Sequence, residues 1–94
     1  MKMKILLNVK SKYCDISDLF FINSLVKKQC KKNVAIIAYF GKRAISYIDT
    51  DYSINISLVL NKYNEEVFNI HVRETNTSIY CTRLEVIKVE NYHD

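Results

Sequence analysis

The sequence predicts a single α+β domain built mostly of antiparallel sheet, and three stretches carry that prediction. The first is the closing segment, residues 66–90, which reads as two strands around a short polar turn. There Phe68, Ile70 and Val72 alternate with Asn69, His71 and Arg73, the period-two pattern of a sheet with one buried face. The second is the opening alternation of Met3, Ile5, Leu7 and Val9 with Lys2, Lys4 and Asn8, a strand with one basic, solvated face. The third begins at Ile16, where Leu19, Phe20, Val26 and Cys30 fall at helical spacing and Ile22 and Leu25 widen the stripe.

The remaining elements follow in order. Lys10-Ser11-Lys12 ends the first strand in a polar loop, and Asp15 or Ser17 is placed to cap the helix by accepting an otherwise orphaned backbone N–H. Lys27, Lys28, Lys31 and Lys32 crowd the last turns of that helix, where cations complement its dipole. The run from Val34 to Phe40 is nearly continuous apolar sequence, the mark of a well-buried strand. Gly41-Lys42-Arg43 turns the chain at the only glycine it has, and Ala44 to Asp49 returns as a second strand. The result is a hairpin with a basic tip.

Residues 53–63 admit two readings. Ile54, Ile56, Leu58 and Leu60 alternate, which favours a strand; Asp51 or Ser53 could instead cap a helix sharing Ile56, Val59, Leu60 and Tyr63 on one face. On the residues alone the alternation outweighs the helix. In the closing hairpin the turn is Glu74-Thr75-Asn76-Thr77, where Asn76 tolerates a positive φ. The return run, residues 79–89, places Tyr80, Leu84 and Val86 on one face. The two periods together predict one buried cluster of Ile5, Leu7, Phe20, Val26, Ile36, Ile70, Val72 and Leu84.

Composition narrows the function. At 94 residues the chain is one domain, residues 1–94, with 49% hydrophobic and 26% charged residues, which excludes a disordered chain. With a single glycine and no proline it has no glycine-rich phosphate loop. A net charge of +4 points to an anionic partner as well as to plain solubility. Cys14, Cys30 and Cys81 form no C-x-x-C pair and are expected as free thiols in the cytosol. No apolar run reaches the length of a membrane span. Catalysis has little support. Cys81 and His71 superficially suggest a thiol–imidazole pair, and Asp49 and Asp51 with His93 or Glu65 a metal site. Ordinary strand and surface residues explain both sets better. No catalytic residue, metal or cofactor is therefore expected.

Laid out in order, the chain resembles the eukaryotic large-subunit ribosomal protein twenty-two family. The likeness runs through the opening strand KILLNVKSK, the acid-capped helix DISDLFFINSLVKKQCKKN and the basic turn GKRAIS. It is most specific at the end, in Phe68, the ETNTS turn, Tyr80, Arg83 and a short remnant of an acidic tail, Glu90 to Asp94. Here the lysine-rich N-terminal extension of the family is missing, the second-helix region keeps only Lys62, and the tail is short, implying a reduced form. The resemblance implies a helix at 53–63, hence the order strand-helix-strand-strand-helix-strand-strand with helices packed on one sheet face. It also implies a non-catalytic constituent of the large ribosomal subunit in the cytoplasm, with ribosomal RNA and neighbouring ribosomal proteins as partners, and neither membrane nor small-molecule substrate. The candidate RNA contacts are Lys2, Lys4, Lys10 and Lys12 around the first strand, Lys42 and Arg43 at the hairpin tip, Lys62, and Arg73 with Arg83. Lys42 and Lys62 also match basic positions that the resemblance implies touch RNA. The alternative is a small virus- or mobile-element-encoded inhibitor of a host protein, with a cystatin-like sheet around one helix. A helix at 53–63 favours the ribosomal reading, a strand the inhibitor.

Overall fold

Among residues 2–28, 34–49 and 53–90, which the computed structural model describes, the chain forms seven strands and one α-helix. The order is β1 (Lys2–Lys10), a 3-10 turn (Ser11–Tyr13), α1 (Ile16–Lys28), β2 (Val34–Phe40), β3 (Arg43–Asp49), β4 (Ile54–Leu60), β5 (Glu66–Val72), β6 (Thr77–Cys81) and β7 (Arg83–Glu90). The strands make two antiparallel sheets, β1-β7-β2-β3 and β4-β5-β6. The fold is thus a mostly antiparallel α+β domain.

The turns follow the local chemistry. Gly41 takes φ +67° in the two-residue Gly41–Lys42 loop, a conformation that glycine enters without steric cost. Asn76 takes φ 52° at the end of the β5–β6 turn, closed by its N–H donating to the Arg73 carbonyl at 3.1 Å. Asn61 builds the β4–β5 turn, its Oδ1 accepting from the backbone N–H of Tyr63 (2.8 Å) and of Glu65 (3.0 Å). Asp15 caps α1. Its Oδ1 accepts from the Asp18 N–H at 2.9 Å, while Asp18 Oδ2 accepts from the Asp15 N–H at 3.3 Å, a reciprocal capping box.

Three expectations need correction. The second helix does not form: residues 54–60 are strand β4, paired in register with β5 from Ile54↔Val72 to Leu60↔Glu66. The alternation dictates this, since Ile54 and Ile56 are buried and their neighbour Asn55 is exposed. With one described helix, the seven-element order with two helices fails. Next, Phe20 is 76% exposed rather than in the core; α1 buries Ile22 and Val26, with Leu19 and Leu25 partly buried. Ile16 and Phe21 are exposed beside Phe20. Last, the closing run is two strands. Thr82 interrupts it, donating its N–H to the Tyr39 carbonyl at 2.8 Å and accepting from the Ser11 N–H at 2.9 Å. The interruption shifts the burial phase by one residue, so Cys81, Leu84 and Val86 are buried and Tyr80 lies half exposed.

Of the expected cluster, Val26, Ile36, Ile70 and Leu84 are buried together, joined by Ile22, Ile54, Ile56 and Phe68. Leu7 and Val72 pack partly buried against them, and the Ile5 side chain lies outside the described residues, as does Cys30. Three of the four edge strands, β1, β3 and β4, are interrupted or covered. One extra residue, Leu6, bulges from β1 between Ile5 and Leu7, and Ile45 bulges from β3 opposite Ala38 and Tyr39. A bulge spoils the flat template that an edge strand offers to another chain. On β4 the helix supplies the block through Asn23, whose amide brackets Ile56.

Candidate nucleic-acid interface

The β1 end, the β2–β3 turn, the β4–β5 turn and the Thr82 break meet around one open groove of about 1060 Å³. Ser11 ties these pieces together. It is 3% exposed; its hydroxyl donates to the Glu66 carbonyl at 2.8 Å while its N–H reaches Thr82. The flanking residues Lys10 and Lys12 are thereby held on the groove wall, where Lys42 and Arg83 join them. Four cations from three distant parts of the sequence line one surface, with the carboxylates of Glu65 and Glu66 also present.

Lys10 and Arg83 are direct cross-strand partners in the β1–β7 ladder. Like charges placed opposite each other are mutually destabilising, and an anion between them relieves that repulsion. Arg83 is further constrained from the other side. Its guanidinium carbon lies 3.9 Å from the centroid of the Tyr39 ring, and Nη1 lies 3.8 Å from Glu85 Oε1. Interaction with the Glu85 carboxylate, chiefly of hydrogen-bonding character, holds the Tyr39 phenol above its ordinary pKa; Arg83 pulls the other way. Arg83 is thus pre-positioned, and stacked arginine retains the in-plane N–H groups that grip a phosphate.

The other sequence candidates do not line this wall. Arg43 begins β3 immediately after Lys42. Lys62 sits in the β4–β5 turn with its Nζ 5.1 Å from the Tyr63 ring centroid. Arg73 follows β5 at the end opposite Glu66, and does not share the groove. Lys2 and Lys4 lie in register with Glu90 and Lys88 at the far end of β1. Lys4 is six residues from Lys10, roughly 20 Å along an extended strand. The structure therefore unites Lys10, Lys12, Lys42 and Arg83 and separates them from Lys2, Lys4 and Arg73. Sequence reading missed Asn8, Ser11, Glu65, Glu66 and Thr82 as members of the groove. In the sequence Lys10-Ser11-Lys12 reads simply as a polar loop, and nothing local marks Ser11 as buried.

The thiol–imidazole pair is not assembled. His71 is opposite Ser78, its Nδ1 3.4 Å from the serine hydroxyl, whereas Cys81 is opposite Phe68 three positions further along. Burial pushes the Cys81 thiol up to about 11, against the lowered value that a nucleophilic thiolate needs. Cys14 is also raised, first by burial and then by Asp18, Asp15 and Glu66. Both are free thiols. Asp51 and His93 of the weighed metal set lie outside the described residues, and among those described no group of three or more ligating side chains gathers. No helix among them is long and apolar enough to cross a membrane. Comparison with protein-family models, curated proteins and solved structures finds no match to this chain.

Proposed function

We propose that this protein is a non-catalytic RNA-binding module that holds an RNA phosphate backbone in the groove lined by Lys10, Lys12, Lys42 and Arg83. One observation carries the reading: the fold gathers four cations from distant segments onto one surface and sets two of them directly opposite each other. Phosphate contacts made by lysine and arginine position a nucleic acid whatever its sequence. A place in the large ribosomal subunit, with neighbouring ribosomal proteins and a cytoplasmic location, is the finer form of this reading. It is supported by the resemblance of the opening strand, the capped helix and the closing hairpin, and the strand at Ile54–Leu60 counts against it. That same strand favours the second reading, an inhibitor that binds a host protein.

The test is a Lys12→Glu, Lys42→Glu double variant, with both changes on short turns at the groove. Binding of a labelled RNA is titrated by anisotropy across salt concentrations. The double variant should bind weakly across RNA sequences, with the salt dependence reduced by roughly one counterion or less per charge removed. A folded double variant that binds RNA like the parent protein would overturn the reading. Co-sedimentation of the parent protein with large ribosomal subunits decides the finer form, and capture of a stoichiometric protein partner without RNA decides for the inhibitor.

A further inference from the structure

Three exposed aromatic side chains lie within two residues of the groove's lining along the chain, and a phosphate backbone alone gives them nothing to do. Tyr13 is 71% exposed, Phe40 56% and Tyr63 68%. Each adjoins a cation at or beside the groove. Lys12 Nζ lies 5.0 Å from the Tyr13 ring centroid and Lys62 Nζ 5.1 Å from that of Tyr63; Phe40 is separated from Lys42 by Gly41 alone. Tyr13 also lines a smaller hollow that shares Asn8 and Lys10 with the groove. Tyr63 is in the turn that delivers Glu65 and Glu66 to it. None of the three belongs to the hydrophobic core or packs against it.

We propose that the RNA bound in the groove is single-stranded, and that Tyr13, Phe40 and Tyr63 stack on its unpaired bases; this rests on the RNA reading above. In a duplex the bases are covered on both faces, so a protein reaches phosphates, sugars and groove edges but not ring faces. A single strand exposes both its charge and its π-faces, and cations interleaved with exposed aromatics match that pair of features. The turns also suit the role. Asn61 and the Asp15–Asp18 box fix the backbone near Tyr63 and Tyr13, so these rings are presented from ordered turns. Stacking is indifferent to base identity, so the preference is for strandedness rather than sequence.

The experiment compares three probes on the full chain: a single-stranded RNA 12-mer, the same 12-mer annealed to its complement, and inorganic polyphosphate of comparable charge. The single strand should bind most tightly. Tyr13→Ala and Tyr63→Ala should each weaken it by roughly 5- to 100-fold while leaving polyphosphate binding and the salt dependence unchanged. Tyr63→Phe should restore binding. The chain has seven tyrosines and no tryptophan, so tyrosine fluorescence should also be quenched by the single strand, and less so in Tyr63→Phe. If duplex, polyphosphate and single strand bind alike, or the alanine variants bind the single strand unchanged, the stacking proposal fails and the anion-binding groove stands. If the folded protein binds polyphosphate and no RNA, or no probe at all, the RNA reading fails and takes this proposal with it.

Discussion

Asn23 of α1 pairs with Ile56 of β4 as a neighbouring strand would. Its Nδ2 donates to the Ile56 carbonyl at 2.8 Å and its Oδ1 accepts from the Ile56 N–H at 3.0 Å. The same amide also donates to the Leu19 carbonyl at 3.1 Å, which fixes it against its own helix. The pair satisfies both main-chain groups of Ile56 on the outer side of β4, the edge of the β4-β5-β6 sheet. It thereby couples helix to sheet through hydrogen bonds as well as packing.

Asn23→Ala removes both partners of Ile56 at once. A part-buried donor and acceptor left unpaired cost about 1–3 kcal/mol. The urea midpoint should fall accordingly, with little change in slope. The opened edge should also make the variant associate at concentrations where the parent protein does not, which light scattering reads. A variant as stable and as monodisperse as the parent would show that the bracket is incidental.

The core assignment makes a paired prediction. Leu84 is fully buried among Val86, Ile36 and Phe68, whereas Phe20 is 76% exposed on the outer side of α1. Leu84→Ala should cost about 2–5 kcal/mol through lost burial and a residual cavity. Phe20→Ala should stay within roughly 0.5 kcal/mol, as substitutions at such exposed positions do. Chemical denaturation of the two variants side by side checks it; equal losses would mean that the helix presents the other face.

How far this was legible depends on whether a feature is local. Gly41, Asn76 and the Asp15 cap each answer to backbone geometry within four residues, so their types identify them. The face of α1 was harder. Ile16, Leu19, Phe20, Phe21, Ile22, Leu25 and Val26 wrap more than half the helix, and periodicity alone does not say which side meets the sheet. Phe20 lost because Asn23 is anchored to Ile56 and turns the Leu19–Ile22–Val26 side inward. β4 was legible in its alternation, and the family likeness pointed the wrong way. The break at Thr82 has no glycine or proline to announce it, since it is imposed by Tyr39 and Ser11 from elsewhere in the chain. The groove was illegible for the same reason: residues 10–12, 41–42, 65–66 and 82–83 meet only in the folded protein.

Cys81 gives a pH-dependent prediction. Its folded pKa of about 11 lies above the ordinary thiol value of 9.0, because burial disfavours the thiolate. The folded state therefore holds the proton more tightly than the unfolded one. Its contribution is complete below pH 9 and is lost as pH rises from about 9 through about 11, by roughly 2–3 kcal/mol at most. Lysines and tyrosines titrate in the same range, so the measurable quantity is the difference between the parent protein and Cys81→Ala. That difference should shrink steadily across the window. At pH 8 the folded protein should also alkylate at Cys81 far more slowly than the unfolded chain does, a contrast that mass spectrometry reads directly.

The two carboxylates in the groove supply the last prediction. Glu65 and Glu66 are exposed and share the wall with Lys10, Lys12, Lys42 and Arg83, so an incoming phosphate meets their repulsion together with the attraction of the cations. Glu66 also has a structural duty, but its backbone carbonyl performs it by accepting from the Ser11 hydroxyl. Glu65 likewise contributes main-chain groups to the β4–β5 turn, its N–H donating to Asn61 and its carbonyl accepting from the Asn61 N–H. Glu65→Gln with Glu66→Gln should therefore preserve the turn while removing two negative charges. At exposed positions each charge is worth up to about 1 kcal/mol, so RNA affinity should rise by a few-fold to about 30-fold at low salt. Screening should erase most of that gain as ionic strength approaches 1 M, where the Debye length is about 3 Å. Anisotropy titrations at low and high salt measure both limits. Should affinity stay level or drop at low salt while the variant remains folded, the groove would not be where the phosphates lie. The RNA would then have to be sought at the isolated cations, beginning with Arg73.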